Sequence, residues 1–146
     1  METDKKALIF NAFGILASVF ILLSGPIVTP TMLPIMIQIF GILLIIWALL
    51  TRRVSRSQTR HSLPKGYFFL THGPYEIIRH PIYAGFLLII LSIVEIEFTF
   101  LRLVALLILC CAIMMKIIRE EYTMKHEVPE YKDYQTKTKA IIPYLL

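Results

Sequence analysis

Four apolar runs, separated by polar stretches, divide this chain. They cover residues 7–28, 33–50, 81–99 and 101–118. A bilayer core of ~30 Å is crossed by ~20 apolar residues in a helix, and somewhat shorter spans are tolerated. The pattern therefore predicts an all-α integral membrane protein, a single domain with four transmembrane helices. A three-span alternative requires one of these charge-poor runs to stay outside the bilayer.

The stretches between the runs fall into two kinds. The first two runs are joined by "GPIVTPTMLP", whose prolines predict a short turn between antiparallel helices. The last two runs are close enough to form a tight helical hairpin. Residues 51–80 and 119–146 are longer, and we expect both to lie on the cytoplasmic membrane surface, the second as an amphipathic tail.

Composition and charge support a membrane protein and predict its orientation. The chain is 57% hydrophobic with a net charge of +5, and its mean hydropathy is +0.71. Residues 51–80 carry six cations against one acid, and the tail carries further cations that acids nearly balance, whereas the turns on the other side hold only Arg102. The positive-inside rule then places both termini in the cytoplasm. We expect these cations to contact anionic lipid headgroups, and we expect no nucleic-acid partner. The membrane is expected to be that of a prokaryotic cell.

Several site chemistries find no support in the sequence. Cys110 and Cys111 are adjacent within an apolar run, which predicts neither a disulfide scaffold nor a metal site. The four histidines lack a metal-ligand spacing, and there is no glycine-rich phosphate loop or nucleophile motif. We therefore predict no bound metal.

The stretch "IIRHPIYAG" marks the start of the third run. Proline is well tolerated at the first helical position, and the residue before it avoids helical dihedrals. His80 should therefore cap a helix that begins at Pro81, with Tyr83 in its first turn and free N–H groups suited to an anion. Gly85, one turn on, lets another helix or a ligand come close.

The hairpin should return Glu120 and Glu121 to the level of His80 and Tyr83. A carboxylate there can pair with an ammonium or accept hydrogen bonds from ribose hydroxyls. Aromatic faces attract a sulfonium or ammonium by cation–π interaction. These groups together favour a zwitterionic ligand with a cationic centre.

"THGPYEIIRHPIYAG", an apolar hairpin and "EEYTMKHEVPEYKDYQTKTKAIIP" together resemble the isoprenylcysteine carboxyl methyltransferase and phospholipid methyltransferase superfamily. The shared pattern is G-x-Y, R-H-P-x-Y-x-G, E-E, paired tyrosines and a closing I-P, over a module of about residues 67–143. The resemblance implies a membrane methyltransferase that binds S-adenosylmethionine in a cytoplasm-facing pocket. The implied cofactor-binding residues are Tyr67, Leu70, Tyr75, His80, Pro81, Ile82, Tyr83, Gly85 and Glu120.

The chain departs from that family at positions that bear on the ligands. Tyr67 stands where the family often has a histidine. Lys116, the implied substrate-binding residue, stands where members acting on prenylcysteine have an arginine, and lysine lacks the bidentate fork for a carboxylate. The acceptor therefore stays open among a prenylcysteine carboxylate, a lipid amine and a thiol. No catalytic residue and no oligomeric state is assigned.

Two other functions remain as alternatives. Membrane sterol reductases, which bind NADPH, use a similar R-H-x-x-Y-x-G hairpin in much longer chains. A non-catalytic membrane scaffold is the other possibility. Binding measurements with both cofactors separate these hypotheses.

Overall fold

A computed structural model describes residues 2–58 and 70–142, and over these residues the elements of secondary structure are helices joined by turns and loops, without a strand. The predicted all-α class is therefore confirmed. The α-helices of the described residues are α1 (Glu2–Leu23), α2 (Met32–Gln58), α3 (Pro81–Ile96), α4 (Phe100–Glu127) and α5 (Tyr131–Lys137), and a 3₁₀ helix covers Gly73–Glu76.

The long helices pack as two antiparallel pairs. In the pair α1 and α4, Gly14 lies opposite Ala112, and the carbonyl of Ile21 lies opposite Arg102. In the pair α2 and α3, the backbones of Gly41 and Gly85 meet. The helix α3 also contacts α1 and α4, so it joins the two pairs into one bundle.

Two of these helices are long and apolar enough to cross a membrane, over Met32–Val54 and Phe100–Glu127. The apolar parts of α1 and α3 are shorter, Ala7–Leu23 and Pro81–Ile96. At 1.5 Å per residue each is about 25 Å long, less than the ~30 Å of a bilayer core. Length and hydropathy thus identify two candidate membrane spans, in α2 and α4. That all four long helices cross the membrane remains a prediction.

Several helix ends differ from the predicted boundaries. The helix α2 continues past the second apolar run to Gln58, and α4 continues past the fourth to Glu127. Both extensions are charged, so periodicity of apolar residues could not reveal them. The third run was predicted to extend to residue 99, but α3 ends at Ile96, because Thr99 caps α4 by accepting a hydrogen bond from the N–H of Arg102 at 3.2 Å.

Arg102 closes the end of the bundle away from the charged tail. Its guanidinium is buried, with 1% of the side chain exposed, and it donates to the Ser24 hydroxyl at 2.8 Å. It also donates to the carbonyls of Ile21, Ile93 and Glu97. These carbonyls lie at the C-terminal ends of α1 and α3, where helices leave acceptors unsatisfied. One side chain therefore fastens three helices at this end.

The tail folds back onto the opposite end of the bundle. Val128, Tyr131 and Tyr134 form a small buried cluster against Met124, near the end of α4. Beyond α5, the chain runs alongside residues 77–80 and forms a parallel bridge between Ile78 and Lys139. The tail therefore packs against the start of α3, where the sequence predicts the site.

Candidate functional site

The start of α3 has the predicted cap, and the tail secures it. His80 is the N-cap and Pro81 occupies the first helical position. The N–H groups of Arg79 and His80 donate to the carbonyls of Lys139 and Ala140, at 2.8 and 3.0 Å. The backbone N–H groups of the two residues before the helix thus find acceptors in the tail.

Arg79 holds the tail and α4 together at this point. Its Nε donates to Glu121 Oε1 at 2.7 Å, and both side chains are nearly buried, with exposures of 9% and 12%. Its Nη1 donates to the carbonyls of Thr138 and Gln135. Arg79 was not among the predicted site residues, although it is the first residue of the R-H-P motif. Only the folded tail reveals its role, because its acceptors lie more than forty positions away in sequence.

His80 lies between the two consecutive carboxylates of α4. Its Nε2 is 3.3 Å from Glu121 Oε1, and its Nδ1 is 3.7 Å from Glu120 Oε2. Its ring also stacks on Tyr83, with a centroid distance of 5.6 Å. The imidazole is therefore fixed from three directions.

Glu120 faces a different environment from its neighbour. Its side chain is 43% exposed, and its Oε1 accepts a hydrogen bond from the Tyr83 hydroxyl at 2.8 Å. The Lys116 ammonium lies 5.2 Å from the centroid of the Tyr83 ring, within cation–π range. The hairpin thus brings a carboxylate, a phenol and an ammonium to one place.

The electrostatics of Glu121 differ from those of an isolated buried acid. Burial alone would raise the pKa of its carboxyl, but hydrogen bonds from His80 and Arg79 and their charges outweigh burial and lower the pKa to about 2. This carboxyl lies beyond the apolar part of α4, which ends at Ile118. Its remaining oxygen, Oε2, accepts from the Gln135 amide at 2.6 Å. The Glu121 carboxylate is therefore ionised, and both of its oxygens already accept hydrogen bonds from other side chains of the protein.

Tyrosines surround the same region and stay protonated. Burial raises the pKa of Tyr75, and it raises the pKa of Tyr131 to about 12 with a further contribution from Glu121. Burial also raises the pKa of Tyr134, whose hydroxyl donates to the Tyr75 carbonyl. Tyr131 and Tyr134 contact edge to face. These rings give the site an aromatic wall that carries no charge.

A cavity of about 1100 Å³ opens between α1, α3, α4 and the tail, and α2 contributes Arg52 to its wall. The predicted site residues among its lining are Leu70, Tyr75, His80, Pro81, Ile82, Tyr83, Lys116 and Glu120. Sequence reasoning missed other lining residues, among them Asn11, Arg52, Arg79, Arg119, Tyr131 and Tyr134. The paired tyrosines were visible as a motif, but nothing in the sequence indicated that α1 or α2 contributes.

Two predicted residues are placed differently. Gly85 lies against α2, where an added Cβ would come within 2.6 Å of the Gly41 carbonyl oxygen. Gly85 was expected to let either another helix or a ligand come close. The structure shows the approach of a helix, and Gly85 does not line the cavity. Tyr67 lies outside the described residues.

Among residues 2–58 and 70–142, no group of three or more histidine, cysteine or acidic side chains is arranged to hold a metal. Comparisons with family models, with curated proteins and with solved structures found no match to this chain. The chemistry of the site is therefore argued from its own residues and from the motif resemblance.

Proposed function

We propose that this protein transfers a methyl group from S-adenosylmethionine to a lipophilic acceptor at the cytoplasmic face of a membrane. The observation that carries the proposal is the meeting of Tyr83 and Glu120 at the wall of a large cavity. The R-H-P-x-Y-x-G and E-E motifs resemble those of membrane methyltransferases, and the hairpin unites the residues of both motifs.

The residues around the cavity fit this cofactor. Its volume of about 1100 Å³ exceeds the ~300–1,000 Å³ of common ligand pockets, which leaves space for a cofactor and part of an acceptor. Glu120 offers a half-exposed carboxylate, suited to an ammonium or to ribose hydroxyls. Aromatic rings suit a sulfonium, and the first N–H groups of α3 suit a carboxylate.

Positioning supplies the rate in such a reaction, because in-line transfer needs the acceptor held close to the methyl group. When bound, the cofactor supplies an electrophilic methyl group. Tyr83 and Glu120 orient each other through their hydrogen bond, and Glu121 fixes the His80 ring beside them. A carboxylate acceptor needs no base, whereas an amine or a thiol must lose a proton.

We propose further that all four long helices span the membrane, with both termini in the cytoplasm. The helices α1 and α3, whose apolar parts are the shorter ones, pack lengthwise on α4 and α2. They present apolar side chains outward, as at Leu8 (71% exposed), Ile15 (65%) and Leu91 (50%). Such exposure suits a lipid solvent, and a span somewhat shorter than the bilayer is accommodated by local thinning.

Cofactor binding to the purified full-length protein tests the methyltransferase proposal. Titration calorimetry in detergent with S-adenosylhomocysteine and, separately, with NADPH should give binding of the first only. The NADPH arm is needed because Arg52, Lys116 and Arg119 line the same cavity, and phosphates bind such cations. Binding of NADPH alone would favour a reductase, and binding of neither would favour a scaffold.

Transfer of labelled methyl groups then identifies the acceptor. Purified protein would be incubated with the labelled cofactor and separate panels of prenylcysteines, lipid amines and hydrophobic thiols. Label should enter one panel and should be absent without protein. Cofactor binding with no transfer to any lipophilic acceptor would contradict the proposed reaction.

A further inference from the structure

The packing between the two helix pairs is uneven along the bundle. Over the described residues, the helices within each pair contact each other along their lengths, whereas α3 contacts α1 and α4 only sparsely. The buried apolar cluster that joins the pairs lies mostly in the half of the bundle near Arg102. Its members are Ala17 and Ile21 of α1, Ile90, Ile93 and Val94 of α3, and Ala105, Leu106, Leu109, Ile113 and Ile117 of α4.

The other half of the interface between the pairs contains open space. The cavity of about 1100 Å³ lies there, beneath the tail. A second cavity of about 310 Å³ adjoins it between α1, α3 and α4, and Tyr83 and Lys116 are among the residues that line both. Regions with few buried apolar contacts open more readily than packed cores. The two pairs are therefore in close contact near Arg102 and separated by cavities toward the tail.

The packed end also has the contacts that resist separation of the pairs. Arg102 belongs to α4, and its side chain is 1% exposed. It donates to the Ile21 carbonyl within its own pair, and across the interface it donates to the carbonyls of Ile93 and Glu97 at the end of α3. Separation at this point would leave buried acceptors without donors, which is costly for every such group. Arg102 therefore links the two pairs through hydrogen bonds that water does not replace.

The opposite end is closed by polar contacts between the start of α3 and the charged extension of α4, which we call the clasp. The Tyr83 hydroxyl donates to Glu120 at 2.8 Å. Arg79 Nε donates to Glu121 at 2.7 Å, and His80 Nε2 lies 3.3 Å from the same carboxylate. Glu120 is 43% exposed, so water reaches the clasp and can replace its hydrogen bonds as they open. The clasp is therefore easier to open than the contacts of Arg102.

We propose that the two helix pairs open as rigid halves about Arg102, and that the clasp controls entry to the large cavity. A hinge of this kind turns about a packed region that stays fixed, and the contacts at the far end limit how often it opens. Opening separates α3 from α4 where the cavities lie, so a ligand enters without unfolding of either pair. The inference concerns access to the cavity, and it rests on the proposed function only for the choice of S-adenosylhomocysteine as a probe.

Distances between spin labels test the hinge without any ligand. In full-length protein whose two cysteines are replaced by alanine, the clasp-end label pair would replace Leu50 of α2 and Ile118 of α4. The hinge-end label pair would replace Leu33 and Leu101 of the same helices, and all four positions are exposed. Double electron–electron resonance in nanodiscs gives the distance distribution of each pair. The two labels on α4 are about 25 Å apart along the helix, so a rotation of ~10° about the Arg102 end changes the clasp-end distance by ~4 Å and the hinge-end distance hardly at all.

Variants of the clasp should move one label pair and not the other. Arg79→Met removes the cation of the clasp, and we expect a clasp-end distance longer by ~4 Å with an unchanged hinge-end distance. Arg53→Met, the same substitution at an exposed position of α2 outside the cavity lining, is the matched control and should change neither distance. Glu121→Gln keeps the shape of the side chain and should give the same longer distance in a smaller fraction of molecules. Circular dichroism confirms that each variant retains its helices, and Glu121→Gln carries the test if Arg79→Met does not fold.

Binding kinetics of S-adenosylhomocysteine test whether the clasp controls entry. If access is limited by opening, Glu121→Gln should raise the association and dissociation rates together, each by about tenfold, with little change in affinity. Arg53→Met should leave both rates unchanged. Unchanged rates in Glu121→Gln would overturn the control of entry by the clasp.

The outcomes separate this inference from the proposed function. A clasp-end distance that stays the same in the folded clasp variants would overturn the hinge, and so would equal broadening of both label pairs, which indicates general loosening. If the distances change as expected but the wild type does not bind S-adenosylhomocysteine, the hinge stands and the methyltransferase proposal fails. If the wild type binds it while the clasp-end distance never changes, the hinge is wrong and the methyltransferase proposal stands.

Discussion

Glu120 and Glu121 show how much one position in a helix changes the role of a carboxylate. Glu121 is 12% exposed and accepts hydrogen bonds from Arg79, His80 and Gln135, so it has little capacity left for a ligand. Glu120 is 43% exposed, bonds Tyr83 and lines the cavity. Sequence reasoning placed both acids beside the start of α3, but their separate partners depend on the tail.

The two acids should therefore respond differently to the same substitution. Glu120→Gln should weaken S-adenosylhomocysteine binding more than Glu121→Gln, because only Glu120 faces the cavity. Glu121→Gln should instead lower the free energy of unfolding by about 2 kcal/mol, through loss of charged hydrogen bonds. Calorimetry and thermal unfolding in the same detergent measure both effects. Glu127→Gln, at an exposed position of the same helix, is the control. A larger loss of affinity at Glu121 would contradict this assignment.

Acid should remove the contribution of Glu121 in a defined pH range. Its pKa is lowered from 4.5 in the unfolded chain to about 2 in the folded protein, so its stabilising effect is complete above pH 4.5. That effect is lost as the pH falls from 4.5 toward 2. The difference in thermal midpoint between the wild type and Glu121→Gln should therefore shrink over this range. A difference that stays constant down to pH 2 would exclude the proposed pairing.

At the scale of the elements, the apolar runs and the His-Pro signal predicted α3 and its cap. They could not predict that residues 77–80 pair with Lys139 and Ala140, because that contact joins distant parts of the chain. These sequence patterns also could not show whether the neighbour of Gly85 is another helix or a ligand. The structure places Gly41 of α2 there, since neither residue has a side chain to separate the backbones.

Gly85→Ala tests that contact. The added methyl group would lie 2.6 Å from the Gly41 carbonyl oxygen, which is backbone and cannot rotate away, so α2 must shift. We expect a loss of roughly 1–3 kcal/mol in the free energy of unfolding, the usual effect of overpacking. Leu91→Ala, at an exposed position of the same helix, should cost less. Unchanged thermal stability with reduced cofactor affinity would mean that Gly85 faces a ligand instead.

The whole molecule combines an apolar bundle with a charged cap at one end. Arg102 fastens the end of the bundle away from the tail, and Arg79 fastens the tail over the cavity at the other. The uneven distribution of cations along the chain is visible in the sequence. The predicted orientation in the membrane, with both termini in the cytoplasm, follows from that distribution. The sequence did not reveal the contribution of α1 to the cavity, because the packing of α1 on α4 is a long-range contact.

Site-directed labelling tests the four-span orientation. In a background with Cys110→Ala and Cys111→Ala, single cysteines would replace Lys5, Thr29, Phe98 and Lys137. A membrane-impermeant maleimide added to intact cells should label positions 29 and 98 but not 5 and 137. Permeabilised cells control for accessibility of the last two. Labelling of either terminus in intact cells would contradict the proposed orientation.

The affinity of Tyr83→Phe for S-adenosylhomocysteine tests the central claim most directly. The phenylalanine ring keeps the packing against His80 and the cation–π contact of Lys116, and only the hydroxyl that bonds Glu120 is lost. If this hydroxyl helps to form a cofactor pocket, its removal costs roughly 1–3 kcal/mol, which is about five- to 150-fold in affinity by calorimetry. Wild-type affinity in this folded variant would contradict the claim that the start of α3 binds the cofactor.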